Sequence, residues 1–501
     1  MDLLHSLSLG FQVALAPVNL LYCFAGVFVG TLIGVLPGIG PVAAMSLLLP
    51  ATFAIPPESA IILMAGVYYG SMYGGSTTAI LVNIPGEAAS VVTCLDGYQM
   101  ARQGRAGAAL GMAAIGSFIA GTLAVVGLML VAPTLARFAI RFGPAEYFSL
   151  MVLGLSILAY LSHGSLVKAL LMATLGVVLG LVGLDSITAV PRLTFDRMEL
   201  VDGLGLVPIV MGLFGVAEIL ANLEQEVKRE IFQRRVTGLL PTRDDWRRSA
   251  GPLARGSVLG FVLGILPGGG AVISSFLSYG LEKRLSRTPE RFGKGAIEGV
   301  AGPEAANNAA AGGGFIPLMT LGIPPNVVLA LLMGAFIVHG LQPGPLLMTQ
   351  KPDLFWGIVV SMYIGNVMLL VLNLPLIGMW IQVLRVPYRI LFPLILLFCV
   401  IGVYTASGAI FDVYLMVGFG VLGWLLRKFG YEPAPLVLAF VLGPMLENNL
   451  RKALLLAQGD FLTFVERPIS ATCLAVAALL LLSPLLPRLG ARRNAIALEQ
   501  S

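Results

Sequence analysis

The sequence predicts an all-α, polytopic membrane protein of about 11–12 transmembrane segments, built from two repeats of opposite orientation that carry Pro-Gly re-entrant hairpins. Three observations predict it. The chain is 57% hydrophobic and 11% charged, with a mean hydropathy of +0.91, whereas a soluble domain is nearer ~25% charged. Apolar runs of bilayer length (~20 residues) recur from end to end. Gln12–Phe53 and Ala106–Ala132 hold no charge, nor do the shorter Tyr147–Leu161 and Thr472–Leu486. Finally, the frame G-x3-G-x-L-P-G-x-G occurs twice, at Gly30–Gly40 and Gly260–Gly270, with six of eleven positions identical at a constant offset of 230 residues (Gly30 to Gly260). Each copy sets a helix-breaking Pro-Gly pair inside an apolar run. In a bilayer such breaks are tolerated only where they are buried in protein or line a polar cavity, and matched breaks in two halves point to a transporter's binding site.

Charge places the elements. Residues 1–101 contain no Lys or Arg, so the first break lies in a neutral zone. The second is flanked by Lys228–Arg255, with eight basic residues against three acids, and by Lys283–Lys294, with five basic residues. By the positive-inside bias the two breaks face opposite sides of the membrane. Gly256–Leu281 is 26 residues long, enough for two half-helices of ~18 Å but not for two crossings of ~30 Å. It reads as a hairpin with Pro267–Gly270 at its tip, and Gly26–Ala51 as its counterpart; the alternative is a turn between two tilted full-length helices. A second matched element follows each hairpin at an offset of 239, pairing Gly74-Gly75 with Gly313-Gly314 and Ile84-Pro85 with Ile323-Pro324. The spans then alternate: Ala106–Ala132, Tyr147–Leu161, Leu170–Leu184 and Gly203–Leu220, then Phe355 onward, Pro393–Val403, Tyr414–Leu426 and Ala434–Leu446. An extra one lies at about Ala471–Leu486. Arg137, Arg141, Arg192 and Arg451 fall outside on this reading. The domains are a first membrane repeat (1–225), a basic cytoplasmic linker (226–255), a second repeat (256–450), and an extra span with a basic tail (451–501).

Several function classes are excluded or weakened. The +5 net charge sits in short loops and does not indicate nucleic-acid binding. The four cysteines form no C-x-x-C pair, and three histidines make no metal or triad cluster, so neither a metal site nor a catalytic residue is expected. Gly-rich Pro267–Gly270 lacks the Gly-Lys-Ser/Thr ending of a phosphate-binding loop. A membrane-embedded enzyme would need a nucleophile–base pair or metal cluster in a span. The N-terminus has no basic n-region or cleavage site, so no cleaved signal peptide is expected.

The half-helix after each tip starts with free N–H groups and a positive dipole end. Two such ends would form an anion site without a buried Lys or Arg, while unwound carbonyls suit Na⁺. Gly38, Gly40, Gly268, Gly269 and Gly270 would let the backbone turn and approach the anion. Ser76, Thr77, Asn83, Ser274 and Asn326 are candidate substrate ligands by their clustering beside the breaks; each alone is as readily a helix-packing group. Glu304, Asn307 and Asn308 share one helical face by their i, i+3, i+4 spacing and are the candidate coupling-ion ligands, since an intramembrane ionisable group is functional by default. The alternative makes Glu304 a surface cap after Pro303. Asp96–Gly107 reads as a cytoplasmic loop with a docking role or as a plain polar connector.

The chain resembles the large membrane subunit, of TctA type, of the tripartite tricarboxylate transporter family. The resemblance rests on Leu36-Pro-Gly-Ile-Gly-Pro41, Tyr69-Gly-Ser-Met-Tyr-Gly-Gly-Ser-Thr-Thr78, Asn83-Ile-Pro-Gly86, Leu95-Asp-Gly-Tyr98 with Ala101-Arg-Gln-Gly-Arg105, Gly299-Val-Ala-Gly-Pro-Glu-Ala-Ala-Asn-Asn308 and Leu321-Gly-Ile-Pro324. It departs at Pro325, where Gly is expected. The resemblance implies a multi-pass protein of the bacterial inner membrane, not an enzyme. It implies a secondary transporter subunit that imports tricarboxylates such as citrate, or related carboxylates, on a cation gradient. The implied partners are a small four-helix membrane subunit and a periplasmic solute-binding protein. Sodium is the expected coupling ion and no other cofactor is expected. A one-component ion-coupled exchanger or a channel is the competing class.

Overall fold

Helices Pro17–Val35 and Pro57–Val82 lie against each other along a face of glycines in the computed structural model, which describes residues 3–36, 40–162, 165–224, 236–268, 270–384, 386 and 388–482. Gly26, Gly30 and Gly34 recur every fourth residue and so share one face. A Cβ on them would stand 2.3 Å from Leu63 O, 2.5 Å from Val67 O and 2.3 Å from Ser71 O. Only glycine permits that approach, the small-residue packing that holds membrane helices where no hydrophobic drive exists. The pair Arg243–Ile265 and Glu298–Gly313 is built the same way. There a Cβ on Gly256, Gly260 or Gly264 would stand 2.3, 2.1 or 2.3 Å from Gly302 O, Ala306 O or Ala310 O. The glycines of the two pairs differ by 230 residues (Gly26 to Gly256) and their partners by 239 (Leu63 to Gly302), the two offsets read from the motifs.

Each pair is followed by a break of matched form. Pro57–Val82 stops at Asn83 (φ 59), and Phe315–Leu321 stops at Gly322 (φ 70), 239 residues on. Both take the left-handed conformation that ends a helix, which Gly and Asn adopt at least cost. Restart is matched too. Glu87 Oε2 accepts from Ala89 N at 2.5 Å to cap the turn Ala88–Ser90, and Asn326 Oδ1 accepts from Leu329 N at 2.9 Å to cap Val327–Val338. A Cβ on Gly86 would lie 1.9 Å from Gly34 O. Its 239-offset counterpart Pro325 lacks the N–H but still offers a carbonyl, which accepts from Gly268 N at 2.9 Å. This backbone bond ties the second break to the Pro267–Gly268 turn.

Around this centre, Ala106–Ala139 packs on Glu298–Gly313, Pro352–Asn373 on Leu3–Ala14, Leu166–Gly180 on Ala434–Leu456, and Pro144–Leu161 on Pro468–Leu482. Among the described residues, six helices are long and apolar enough to cross a membrane: Pro17–Val35, Ala106–Ala139, Pro144–Leu161, Leu206–Glu224, Pro352–Asn373 and Ile410–Lys428. Shorter apolar helices, among them Leu166–Gly180, Val327–Val338 and Pro468–Leu482, accompany them. The fold is all-α apart from a two-residue antiparallel ladder pairing Gly183 with Arg192 and Leu184 with Pro191.

Two local expectations are corrected. The stretch read as the first arm of a second hairpin is the 23-residue helix Arg243–Ile265, about 34 Å long at 1.5 Å per residue, rather than a half-helix starting at Gly256. Arg255 lies within this helix and pairs with Glu282 at 2.5 Å. The second arm, Ala271–Leu285, is 15 residues. The segment from Asp96 is helical through Arg102 (Val91–Arg102) rather than a loop. Fully buried, Asp96 accepts from Gly295 N and Ala296 N at 2.7 Å each and from Tyr279 Oη at 2.9 Å, joining the two halves. The basic tail beyond residue 482 lies outside the described residues.

Candidate functional site

The breaks and tips converge on one cavity of about 470 Å³. Gly40 and Pro41 from the first tip and Gly268, Gly270 and Ala271 from the second line it. So do Pro85, Gly86 and Glu87 from the first break and Pro325, Asn326 and Val327 from the second. Helices Gly40–Leu48 and Ala271–Leu285 begin at this wall, so their first N–H groups have no intrahelical acceptor there. Gly40 (φ +65) and Gly270 (φ +25) have nothing within 4 Å of where a Cβ would sit, so they face open space rather than packing. Gly268 (φ +78) is different: its Cβ would meet Leu158 Cα at 2.7 Å. Half-buried Ser162, Glu218, Arg427 and Glu432 form one side of the wall. That side lies at the helix ends that carry Lys168 and Lys428 and lead into the basic linker.

Of the sequence candidates, Gly40, Gly268, Gly270 and Asn326 line this cavity. Asn326 also donates through Nδ2 to Tyr68 Oη at 3.2 Å, and Tyr68 lines the wall as well. Gly38 and Gly269 lie outside the described residues. Ser76 and Thr77 border a separate small void beside Ser117 and Asn373. Asn83 is exposed and serves as the left-handed cap. Ser274 is buried, and its hydroxyl donates to Gly270 O at 2.7 Å, bracing the tip from behind.

Behind the wall lies a buried polar cluster. Glu304 is 1% exposed and sits in the body of Glu298–Gly313, so it is no surface cap. Its carboxylate accepts from Ser76 Oγ at 2.6 Å and from Thr93 Oγ1. Asn308 Nδ2 donates to Ser117 Oγ at 2.6 Å and to Glu304 O at 3.0 Å. Asn307 Nδ2 donates to Glu87 Oε1 at 3.2 Å, while its Oδ1 is buried without a partner. Glu87 itself lines the cavity and reaches the cluster, with one oxygen on the Ala89 N–H and the other on Asn307. A buried carboxylate needs hydrogen-bond donors or a cation to offset its lost hydration. Here hydroxyls and amides supply the donors, and the orphan Oδ1 leaves one acceptor over.

Sequence reasoning missed Glu87, Tyr68, Arg427 and Glu218. Glu87 carried a readable signal, a carboxylate directly after the Ile-Pro-Gly break. Arg427 read only as the charged end of a span.

An all-helical chain with six apolar helices of spanning length, whose broken helices enclose a cavity, is a multi-pass membrane protein. Residues 20–438 match the tripartite tricarboxylate transporter TctA family, and the chain belongs to it. That family is one of transporter subunits, not enzymes. The chain is similar over its whole length, at 54% identity across 500 residues and 100% of both sequences, to the "Uncharacterized 52.8 kDa protein in TAR-I ttuC' 3'region" of Agrobacterium vitis. It is also 53% identical over 240 residues, 48% of this chain and 99% of the relative, to the "Uncharacterized protein in TAR-II ttuC' 3'region" of the same organism. No solved structure matches.

Proposed function

We propose that this chain is the large subunit of a secondary transporter that brings tricarboxylates or related organic carboxylates across the bacterial inner membrane, driven by a sodium gradient. The observation that carries the reading is the meeting of four backbone breaks, two from each half, around one 470 Å³ cavity. Unpaired N–H groups and positive helix ends there favour an anion. Gly40 and Gly270 leave room for it against the backbone. The coupling cation belongs in the cluster of Glu304, Asn307 and Asn308, where Asn307 Oδ1 has no partner and Glu87 reaches back to the cavity.

The matched contacts at offsets 230 and 239 support two structural repeats. Opposite charge at their flanks supports an inverted relation, with each hairpin re-entering from its own side. A periplasmic solute-binding protein delivers the carboxylate, and a small four-helix subunit completes the membrane complex. The test is uptake of radiolabelled citrate or succinate by proteoliposomes holding both membrane subunits, with the binding protein and an imposed Na⁺ gradient. Uptake that needs all three components and collapses without the gradient is expected. Uptake by this chain alone identifies a one-component exchanger instead, and uptake indifferent to Na⁺ removes sodium coupling.

A further inference from the structure

Among the described residues lining the cavity, Arg427 is the only one with a cationic side chain. It stands in the last turn of Ile410–Lys428 and donates through Nη1 to the carboxylate of Glu218, which lines the same cavity from Ala217–Glu224. The two side chains are 31% and 26% exposed, so a solute in the cavity reaches the pair. Neighbouring cations are held elsewhere: Lys428 Nζ donates to Glu224 Oε1 at 2.6 Å and Lys168 Nζ to Phe429 O at 2.6 Å. The same wall carries three carboxylates, Glu87, Glu218 and Glu432. An anion meets repulsion from all three; besides the N–H groups at the two tips, the attraction in this wall comes from the one guanidinium, so a carboxylate of the solute is placed at Arg427.

We propose that Arg427 holds a carboxylate of the transported solute, and that Glu218 is its internal stand-in, occupying the guanidinium while the cavity is empty and yielding it when the solute arrives. The assignment rests on the carboxylate reading above. A guanidinium matches a carboxylate through paired, charge-assisted N–H donors, which an ammonium cannot reproduce. Exchange of one carboxylate for another on the same group makes binding a competition, which keeps affinity moderate and lets the solute leave. Arg427 and Glu218 come from different helices, so the exchange also loosens a tie between Ile410–Lys428 and Ala217–Glu224 on the basic side of the molecule. Solute arrival and helix release are then one event.

The test is carboxylate binding to the purified full-length chain, read by isothermal titration with citrate, succinate and benzoate, with melting temperature and elution volume as folding controls. Arg427→Gln raises Kd about 10- to 100-fold, the range for one charged hydrogen-bonded contact. Arg427→Lys recovers part of the loss, and Glu218→Gln lowers Kd several-fold because the competitor has lost its charge. The gain in Glu218→Gln separates a competitor from a structural tie, whose removal would weaken binding or leave it unchanged. Wild-type affinity in Arg427→Gln, or unchanged or weaker binding in Glu218→Gln, overturns the assignment. A wild-type chain that binds none of the three carboxylates overturns the carboxylate reading itself, and the assignment with it.

Discussion

Gly40 and Gly270 separate function from packing, and valine at either position is the decisive perturbation. Neither has an atom within 4 Å of its would-be Cβ, so the substitution meets no clash. Its cost is conformational: a β-branched residue at φ +65 or +25 sits in a region it rarely adopts, at about 1–3 kcal/mol. The three added heavy atoms project into the open space of the cavity. They also cover the first N–H groups of the following helix. Gly260 is the contrast. A Cβ there lies 2.1 Å from Ala306 O and its nearest neighbours are all backbone, so the helices must part by at least about 1.3 Å to reach the 3.4 Å of ordinary contact. Overpacking of that kind costs about 1–3 kcal/mol for a single methyl. Gly40→Val and Gly270→Val therefore insert at normal levels, melt a few degrees lower and transport no carboxylate, whereas Gly260→Val is lost from the membrane. Membrane abundance, elution profile and proteoliposome uptake read the three outcomes. Wild-type uptake by Gly40→Val or Gly270→Val would falsify the anion site and leave the tips as plain turns. Normal stability of Gly260→Val would refute the close helix approach.

Three further outcomes follow from the same geometry. In a background without Cys23, Cys94, Cys399 and Cys473, Ala54→Cys and Arg287→Cys, both at exposed positions, label with membrane-impermeant maleimide from opposite sides; labelling from one side ends the inverted-repeat reading. Asn308→Ala removes the bond to Ser117 Oγ and weakens apparent Na⁺ affinity tenfold to a hundredfold, matching ~1–3 kcal/mol for a buried polar partner; an unchanged Na⁺ dependence of uptake returns the residue to packing. Asp185, in the loop between Leu166–Gly180 and Leu206–Val210, is held below the usual carboxylate range by the Thr188 N–H, by Arg451 at 2.5 Å and by the Ile187 N–H. A depressed folded-state value means stability present above the unfolded value of ~3.9 and lost as pH falls toward the folded one, so Asp185→Asn lowers the melting temperature at pH 7 and the gap to wild type narrows below about pH 4. A gap that stays constant across this range removes the carboxylate from the loop's stability.

What the sequence made legible was what repeats or what costs most to bury. The glycine frames were readable because a four-residue spacing names one helix face whatever the partner is. Glu304, Asn307 and Asn308 were readable because a carboxylate and two amides in an Ala/Gly run demand partners. The partners themselves were not, since Ser76, Thr93 and Ser117 come from three different helices. A hydroxyl gives no sign of whether it bonds far away or to its own turn. Ser274, which returns to Gly270 O, and Ser76, which crosses to Glu304, look alike in sequence. Arm length was misjudged because the basic run ending at Arg255 was taken as a boundary, whereas arginine is a good helix former and the helix continues through it.

The two halves share a backbone plan and differ in chemistry, and that difference is where direction can enter. At the 239-residue offset Asn83 faces Gly322 and Glu87 faces Asn326, each pair doing one conformational job as cap or restart. Charge does not follow the plan: Glu87 matches a neutral amide, and Glu304, Asn307 and Asn308 match Ala65, Tyr68 and Tyr69. The first break thus brings a carboxylate to the cavity wall and the second an amide. Glu87 is tied to Asn307 of the other half, and Glu304 to Ser76 and Thr93 of the first. Each carboxylate is satisfied only while the halves stay in register. In the proposed carrier a cation beside the unpartnered Asn307 Oδ1 would act on the Glu87–Asn307 tie between the halves. Under the proposed function, ion occupancy would thereby be linked to the relative position of the two halves, the coupling a gradient-driven carrier requires.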